Sequence, residues 1–279
     1  MKLTTLSTLV AVLAVTQGQA FAAPSDDFDL SQWKLTLPVS EYAYFGSGDD
    51  DDAAEILPSD CTGNNYSGSG IDEGFEDTNY FYSDSSGAMV FVTPLDGGAS
   101  TLNSSYVRSE LRELYDWSAC DSTGTANWDI SSGTHTLSAT LSVTDYYDDD
   151  PQTVVGQIHA HNSNYALVKL QWDGPTKDVR AIINESAEDG NNFDLEFGLV
   201  PGTDEWSYTI EVEDKKISIS VTYGGETVTK SVTIGEGDMD DDWLDDTFYF
   251  KAGNYAQANK SSGGSFTVKF TDLDVSHSD

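Results

Sequence analysis

The chain has 279 residues, with 48 Asp plus Glu against 13 Lys plus Arg, a formal charge of −35. Nucleic-acid and anionic-lipid surfaces are bound through clustered cations that neutralise phosphates, so this balance excludes a general binder of either. Hydrophobic residues at 38% and aromatics at 11% suffice for a core, and 24 Gly beside 7 Pro favour strands and turns over helices.

The first 22 residues read as an export signal. Lys2 gives a minimal basic start, residues 3–15 a short apolar run, and Ala20-Phe21-Ala22 a small-residue cleavage site. That run is too short for a retained bilayer span, and no later segment approaches ~20 apolar residues. A secreted, extracellular protein is expected, with residues 23–279 as a single domain and no membrane association.

Alternation of apolar and polar residues predicts strands over 32–37, 80–82, 88–93, 105–114, 135–143, 153–160 and 165–172. It predicts further strands over 179–184, 193–200, 207–212, 216–223, 226–233, 247–257 and 265–275. Between two of these, Gly224-Gly225 supplies the positive φ angles of a two-residue hairpin turn. No sustained 3.6-residue period occurs outside the export signal, and no internal repeat or Pro-rich linker divides the rest. So many short strands in one domain fit an all-β jelly-roll sandwich of two antiparallel sheets.

Cys61 and Cys120 are an isolated pair, expected to form one disulfide in an oxidising compartment. It would close a loop of about 60 residues, worth about 4 kcal/mol by chain entropy. No metal-ligand spacing is present: there is no CxxC, and His135 and His277 stand apart in sequence. Glycosylation sequons begin at Asn65, Asn103, Asn184 and Asn259. Acidic runs at 49–52, 148–150 and 238–242 read as solvated loops. Asp238, Asp240 and Asp242 match the start of a calcium-binding EF-hand loop, but Trp243 replaces its glycine and Tyr249 its final glutamate.

Residues two apart in a strand share a face. Tyr106, Arg108, Glu110 and Arg112 therefore go together, as do Gln157, His159 and His161, and Tyr249, Lys251, Tyr255 and Gln257. Each strand turns cations, amides, imidazoles or phenols one way and small or apolar groups the other. Fixed cations beside a group able to take and a group able to give a proton suit a polymer bearing carboxylates and hydroxyls.

Three segments carry a resemblance. Arg108-Ser109-Glu110-Leu111-Arg112, Gln157-Ile158-His159 and the stretch from Tyr249 through Lys251-Ala252-Gly253-Asn254-Tyr255 to Gln257 resemble the signature segments of the family 7 polysaccharide lyases, the alginate lyases. All three occur in family order, and the likeness runs from about Phe28 to the end of the chain. It implies a β-jelly roll with a substrate groove on its concave sheet. It places the catalytic arginine, glutamine, histidine and tyrosine on Arg108, Gln157, His159 and Tyr255, and the groove-lining residues on Glu110, Arg112, Lys251 and Gln257. In this family isoleucine between the glutamine and the histidine, here Ile158, accompanies activity on guluronate-containing blocks.

The chemistry fits the residue types. β-Elimination removes the C5 proton of a uronate, which is weakly acidic while the adjacent carboxylate is ionised. Arg108 and Gln157 would bind that carboxylate and stabilise the developing charge. His159 suits a base near neutrality, and Tyr255 can protonate the departing O4. Glu110, between Arg108 and Arg112, is expected to fix their rotamers. No metal or organic cofactor is required, and a monomer acting on anionic polysaccharide is expected.

Other readings compete. Residues 192–197 resemble the catalytic strand of family 16 glycoside hydrolases, but Asn192 replaces the nucleophilic carboxylate, so Asp194 and Glu196 read as solvated. A non-catalytic carbohydrate-binding module would not need His159 and Tyr255 together. A lyase on another polyuronate, such as glucuronan, would use the same residues. The charge of −35 and the clustering of Arg108, Arg112 and Lys251 together predict a cationic cleft on an acidic body.

Overall fold

A computed structural model describes residues 22–58, 68–101, 104, 106–118, 121–259 and 263–278. The export signal through residue 21, both cysteines and the sequons at Asn65 and Asn103 lie outside the described residues. The strands, in chain order, are β1 (Trp33–Ser40), β2 (Ala53–Ile56), β3 (Phe81–Ser83), β4 (Met89–Pro94), β5 (Arg108–Glu113), β6 (Thr134–Asp145), β7 (Thr153–Ala160) and β8 (Ala166–Trp172). They continue with β9 (Arg180–Asn184), β10 (Asn192–Glu196), β11 (Trp206–Glu213), β12 (Lys216–Tyr223), β13 (Glu226–Thr233), β14 (Phe248–Ala256) and β15 (Ser265–Ser278). An eight-stranded sheet runs β10-β9-β8-β7-β14-β5-β1-β2, and a seven-stranded sheet runs β13-β12-β11-β6-β15-β4-β3. This is the jelly-roll sandwich that the strand pattern predicts.

Leu35, Leu111, Ile158 and Phe250 from the first sheet meet Leu137, Leu141, Ile210 and Phe270 from the second in one core, all fully buried. Each such side chain contributes about 1.5–3 kcal/mol on burial. Alternation decides the faces: in β5 Leu111 enters the core while Arg108, Glu110 and Arg112 turn to the outer face of the same sheet. The hairpin forms as expected, with Gly224 and Gly225 at φ 61° and 83° and Tyr223 paired to Glu226.

Each of the predicted strands overlaps an observed one, but the boundaries differ where polarity misleads. β2 is absent from the expectation, because four residues behind an acidic run show no alternation. β15 reaches Ser278, beyond the predicted 275, because its polar end pairs with β6 through His277 opposite His135. Those two histidines, far apart in sequence, are thus neighbours. Their Nδ1 atoms face each other at 2.7 Å, and His277 Nε2 donates to Glu113 Oε1 at 2.5 Å. His135 Nε2 donates to the carbonyls of Ser132 and Asp129 at 2.8 and 3.1 Å.

The sequon asparagine Asn184 is buried: the residue is 4% exposed and its side-chain amide donates to the Ala166 carbonyl, so it is closed to modification in the folded state. The acidic run at 238–242 is not wholly solvated either. Asp242 Oδ2 accepts from Ser186 Oγ at 2.6 Å and from the Ala187 amide at 3.1 Å, tying that loop to the end of β9. Among the described residues, no three His, Cys, Asp or Glu are grouped to hold a metal ion, and no helix is long and apolar enough to cross a membrane.

Candidate active site

A cleft of about 640 Å³ lies over the outer face of the eight-stranded sheet. β14 runs down its middle between β7 and β5. Antiparallel register therefore sets residues distant in sequence side by side: Tyr249 opposite His159, Lys251 opposite both Gln157 and Arg112, and Tyr255 opposite Arg108. Of the eight residues expected here, Arg108, Arg112, Gln157, His159, Lys251 and Tyr255 line the cleft.

Glu110 sits beneath them, fully buried. Its carboxylate pairs with Lys251 Nζ at 2.5 Å and Arg108 at 3.0 Å, and accepts from Gln157 Nε2. Burial alone would raise its pKa; Lys251 and Arg108 outweigh that and hold it below the usual carboxylate range. The expectation that Glu110 fixes both arginines holds for Arg108 only. Arg112 turns the other way, donating to the Glu113 and Ala126 carbonyls at 2.6 and 3.2 Å and to Asn127 Oδ1 at 2.6 Å.

Gln257 is not brought to the cleft. It lies past the end of β14, and its amide donates to the carbonyls of Tyr255 and Ala256 at 3.2 and 3.5 Å. The alternation that placed it with Tyr255 does not persist beyond the strand.

His159 Nδ1 lies 2.7 Å from the Ala160 carbonyl. A carbonyl only accepts, so Nδ1 carries the proton and Nε2 of the neutral ring keeps its lone pair. Burial, then Lys251, lowers the His159 pKa from 6.5 to about 4, against the opposing bond to Ala160. The ring stacks on Tyr249 at 5.5 Å and 10°. The Tyr255 hydroxyl exchanges a hydrogen bond with Ser104 Oγ at 2.9 Å, and the Arg108 guanidinium lies 3.8 Å over the Tyr255 ring. A second such contact places Arg112 4.0 Å over Tyr249.

Sequence reasoning grouped Tyr249 with these residues but gave it no role, and it did not find Asn127 or Ser104. Tyr249 was recoverable from the strand period; the two loop residues carry no local signal. The competing hydrolase reading finds no support. Asp194 is exposed on edge strand β10 and pairs with Arg180 at 2.7 Å, and Glu196 is exposed.

A jelly-roll sandwich with cations, an amide, an imidazole and a phenol converging in one open cleft defines a carbohydrate-active protein for an acidic polysaccharide. The family model described as alginate lyase matches residues 28–277, and the chain belongs to that family. It is a polysaccharide lyase, an alginate lyase. An alginate lyase from Klebsiella pneumoniae is 26% identical over 291 aligned residues, spanning 89% of each chain. The crystal structure of alginate lyase A1-II′, a member of polysaccharide lyase family 7, superposes with a TM-score of 0.72 at 32% identity, covering 92% of this chain and 100% of that one. A variant of A1-II′ in complex with substrate (GGMG) gives 0.73 at 32% identity, with 93% and 98% covered.

Proposed function

We propose that this alginate lyase is secreted and cleaves the 1,4-glycosidic bonds of guluronate-containing blocks by β-elimination, through Arg108, Gln157, His159 and Tyr255. The observation that carries the mechanism is the fixed tautomer of His159, a neutral base in the cleft wall two strands from Arg108. Arg108 and the second N–H of Gln157 bind the carboxylate of the reacting uronate and stabilise the charge that builds on it. A base takes the C5 proton, the electron pair forms the C4–C5 double bond, and the C4–O4 bond breaks. Tyr255 supplies the proton to O4. Where the C5 proton and O4 lie on opposite faces, His159 takes the first and Tyr255 serves the second; where they share a face, Tyr255 does both.

Two likenesses support this reading. The A1-II′ variant bound to substrate replaces a histidine by asparagine and a tyrosine by phenylalanine, the residue types of His159 and Tyr255. The preference for guluronate-containing blocks rests on the family pattern at Ile158, which lies in the core; any influence on substrate passes through packing.

Purified enzyme is to be offered polyguluronate, polymannuronate and glucuronan while ultraviolet absorbance of the new double bond is followed. Absorbance should rise on the alginate blocks, fastest on polyguluronate. No rise on any of the three rejects lyase activity, and a faster rise on polymannuronate rejects the preference. Tyr255→Phe should lose about 10²–10⁴-fold in kcat while still binding polymer. Full activity in that variant sinks the proposed mechanism.

A further inference from the structure

The register of the outer face puts one transverse row of residues across the cleft. Lys34 of β1 pairs with Arg112 of β5, Arg112 with Lys251 of β14, Lys251 with Gln157 of β7, and Gln157 with Lys169 of β8. All five line the cleft. Four of them are committed to protein partners. Lys34 meets Glu55 at 2.7 Å, Lys251 meets Glu110 at 2.5 Å, Arg112 is held by Asn127 at 2.6 Å, and Gln157 donates to Glu110. Lys169 makes no ion pair or hydrogen bond to protein among the described residues.

Its surroundings make this costly. The side chain is half-buried, and burial, then Arg180, pulls its pKa down from the usual lysine range. Asp194, the carboxylate that offsets this, is itself engaged by Arg180 at 2.7 Å. A partly desolvated ammonium with no counter-ion is stabilised when an anion docks against it. Neighbouring strands lie about 4.8 Å apart, so Lys169 stands one strand from the carboxylate-binding Gln157, on the scale of one sugar in a 1,4-linked chain.

The other end of the row differs. Beyond Lys34 the lining residues are Glu41, Asp52 and Glu55. Asp52 has a raised pKa, through desolvation and then crowding by Asp49 and Glu41. A uronate chain is therefore repelled at the β2 end and attracted at the β8 end.

We propose that Lys169 binds the carboxylate of the uronate adjacent to the one that reacts, and that the polymer makes its further charged contacts toward β8 and not toward β2. This rests on the reading of the cleft as a polyuronate site. The test is steady-state kinetics of the wild type, Lys169→Met and Lys169→Arg on alginate at several salt concentrations, with thermal unfolding of each. Lys169→Met should raise KM about tenfold, the loss of one charge-assisted hydrogen bond, with a much smaller change in kcat. Its KM should depend less steeply on salt, its unfolding should match the wild type, and Lys169→Arg should restore most of the affinity. An active Lys169→Met with unchanged KM and salt dependence, or one that loses kcat alone, overturns the role of Lys169 and leaves the function standing. A wild type that does not cleave alginate overturns the function itself.

Discussion

Glu110 is buried, ionised and surrounded by Lys251, Arg108 and Gln157, so three of the groups proposed to meet substrate are held by one carboxylate. The same crowding sets two ionisations in the cleft. His159 is neutral down to about pH 4, and burial with the neighbouring Arg108 brings Lys251 down to about 8. A base must be unprotonated, so kcat/KM should fall on the acid side near pH 4 and not near 6.5. On the alkaline side it should decline as Lys251 loses its charge above pH 8. A pH profile of kcat/KM checks both limbs, and an acid limb near 6.5 would contradict the lowered pKa of His159. The sign for stability follows from the same shift. The unfolded chain protonates His159 near 6.5 and the folded chain only near 4, so this contribution is complete above 6.5 and is lost as pH falls from 6.5 toward 4. The strand period made Arg108, Gln157, His159, Lys251 and Tyr255 legible from sequence, because alternation carries facing information over a few residues. It did not reveal that Arg112 is clamped by Asn127, since a loop contact across 15 residues leaves no periodic trace.

Strand β14 supplies the middle of the site, and its geometry depends on one residue without a side chain. Gly253 faces Glu110 at φ 147°, and a Cβ there would sit 2.7 Å from the Ser109 carbonyl oxygen and 2.8 Å from the Glu110 Cα. Gly253→Ala must push β14 away from β5, the two strands that carry Lys251, Tyr255, Arg108 and Glu110. It should cost more than about 1 kcal/mol of stability and lower kcat, measurable by denaturant unfolding and turnover together. Unchanged values for both would show that the strands close without this contact. Elements were legible wherever one face is apolar, as in β7, whose predicted and observed limits coincide. They were not where the pattern is too short or absent: β2 has only four residues, although Ala54 and Ile56 enter the core, and the end of β15 is polar on both faces.

At the scale of the molecule, a charge of −35 coexists with a site for a polyanion because the charges are unevenly placed. The expected cationic cleft is only half cationic. The acidic run at 49–52 is not remote from it, since Asp52 lines its rim. Net charge alone could not show this, as it carries no position. The topology has a different implication. β14 lies between β7 and β5 in one sheet, and β15 lies between β6 and β4 in the other. A chain ending at Asp246 would leave both sheets split, with four raw edges, and should show no cooperative thermal transition by calorimetry. A sharp transition in that fragment would refute the expectation. During synthesis, the strands that flank each gap must wait for partners made long afterwards, and such distant pairings fold slowly. The cleft is consequently the last thing to form as the polypeptide grows, and a nascent chain stays inert until its final two strands slot in.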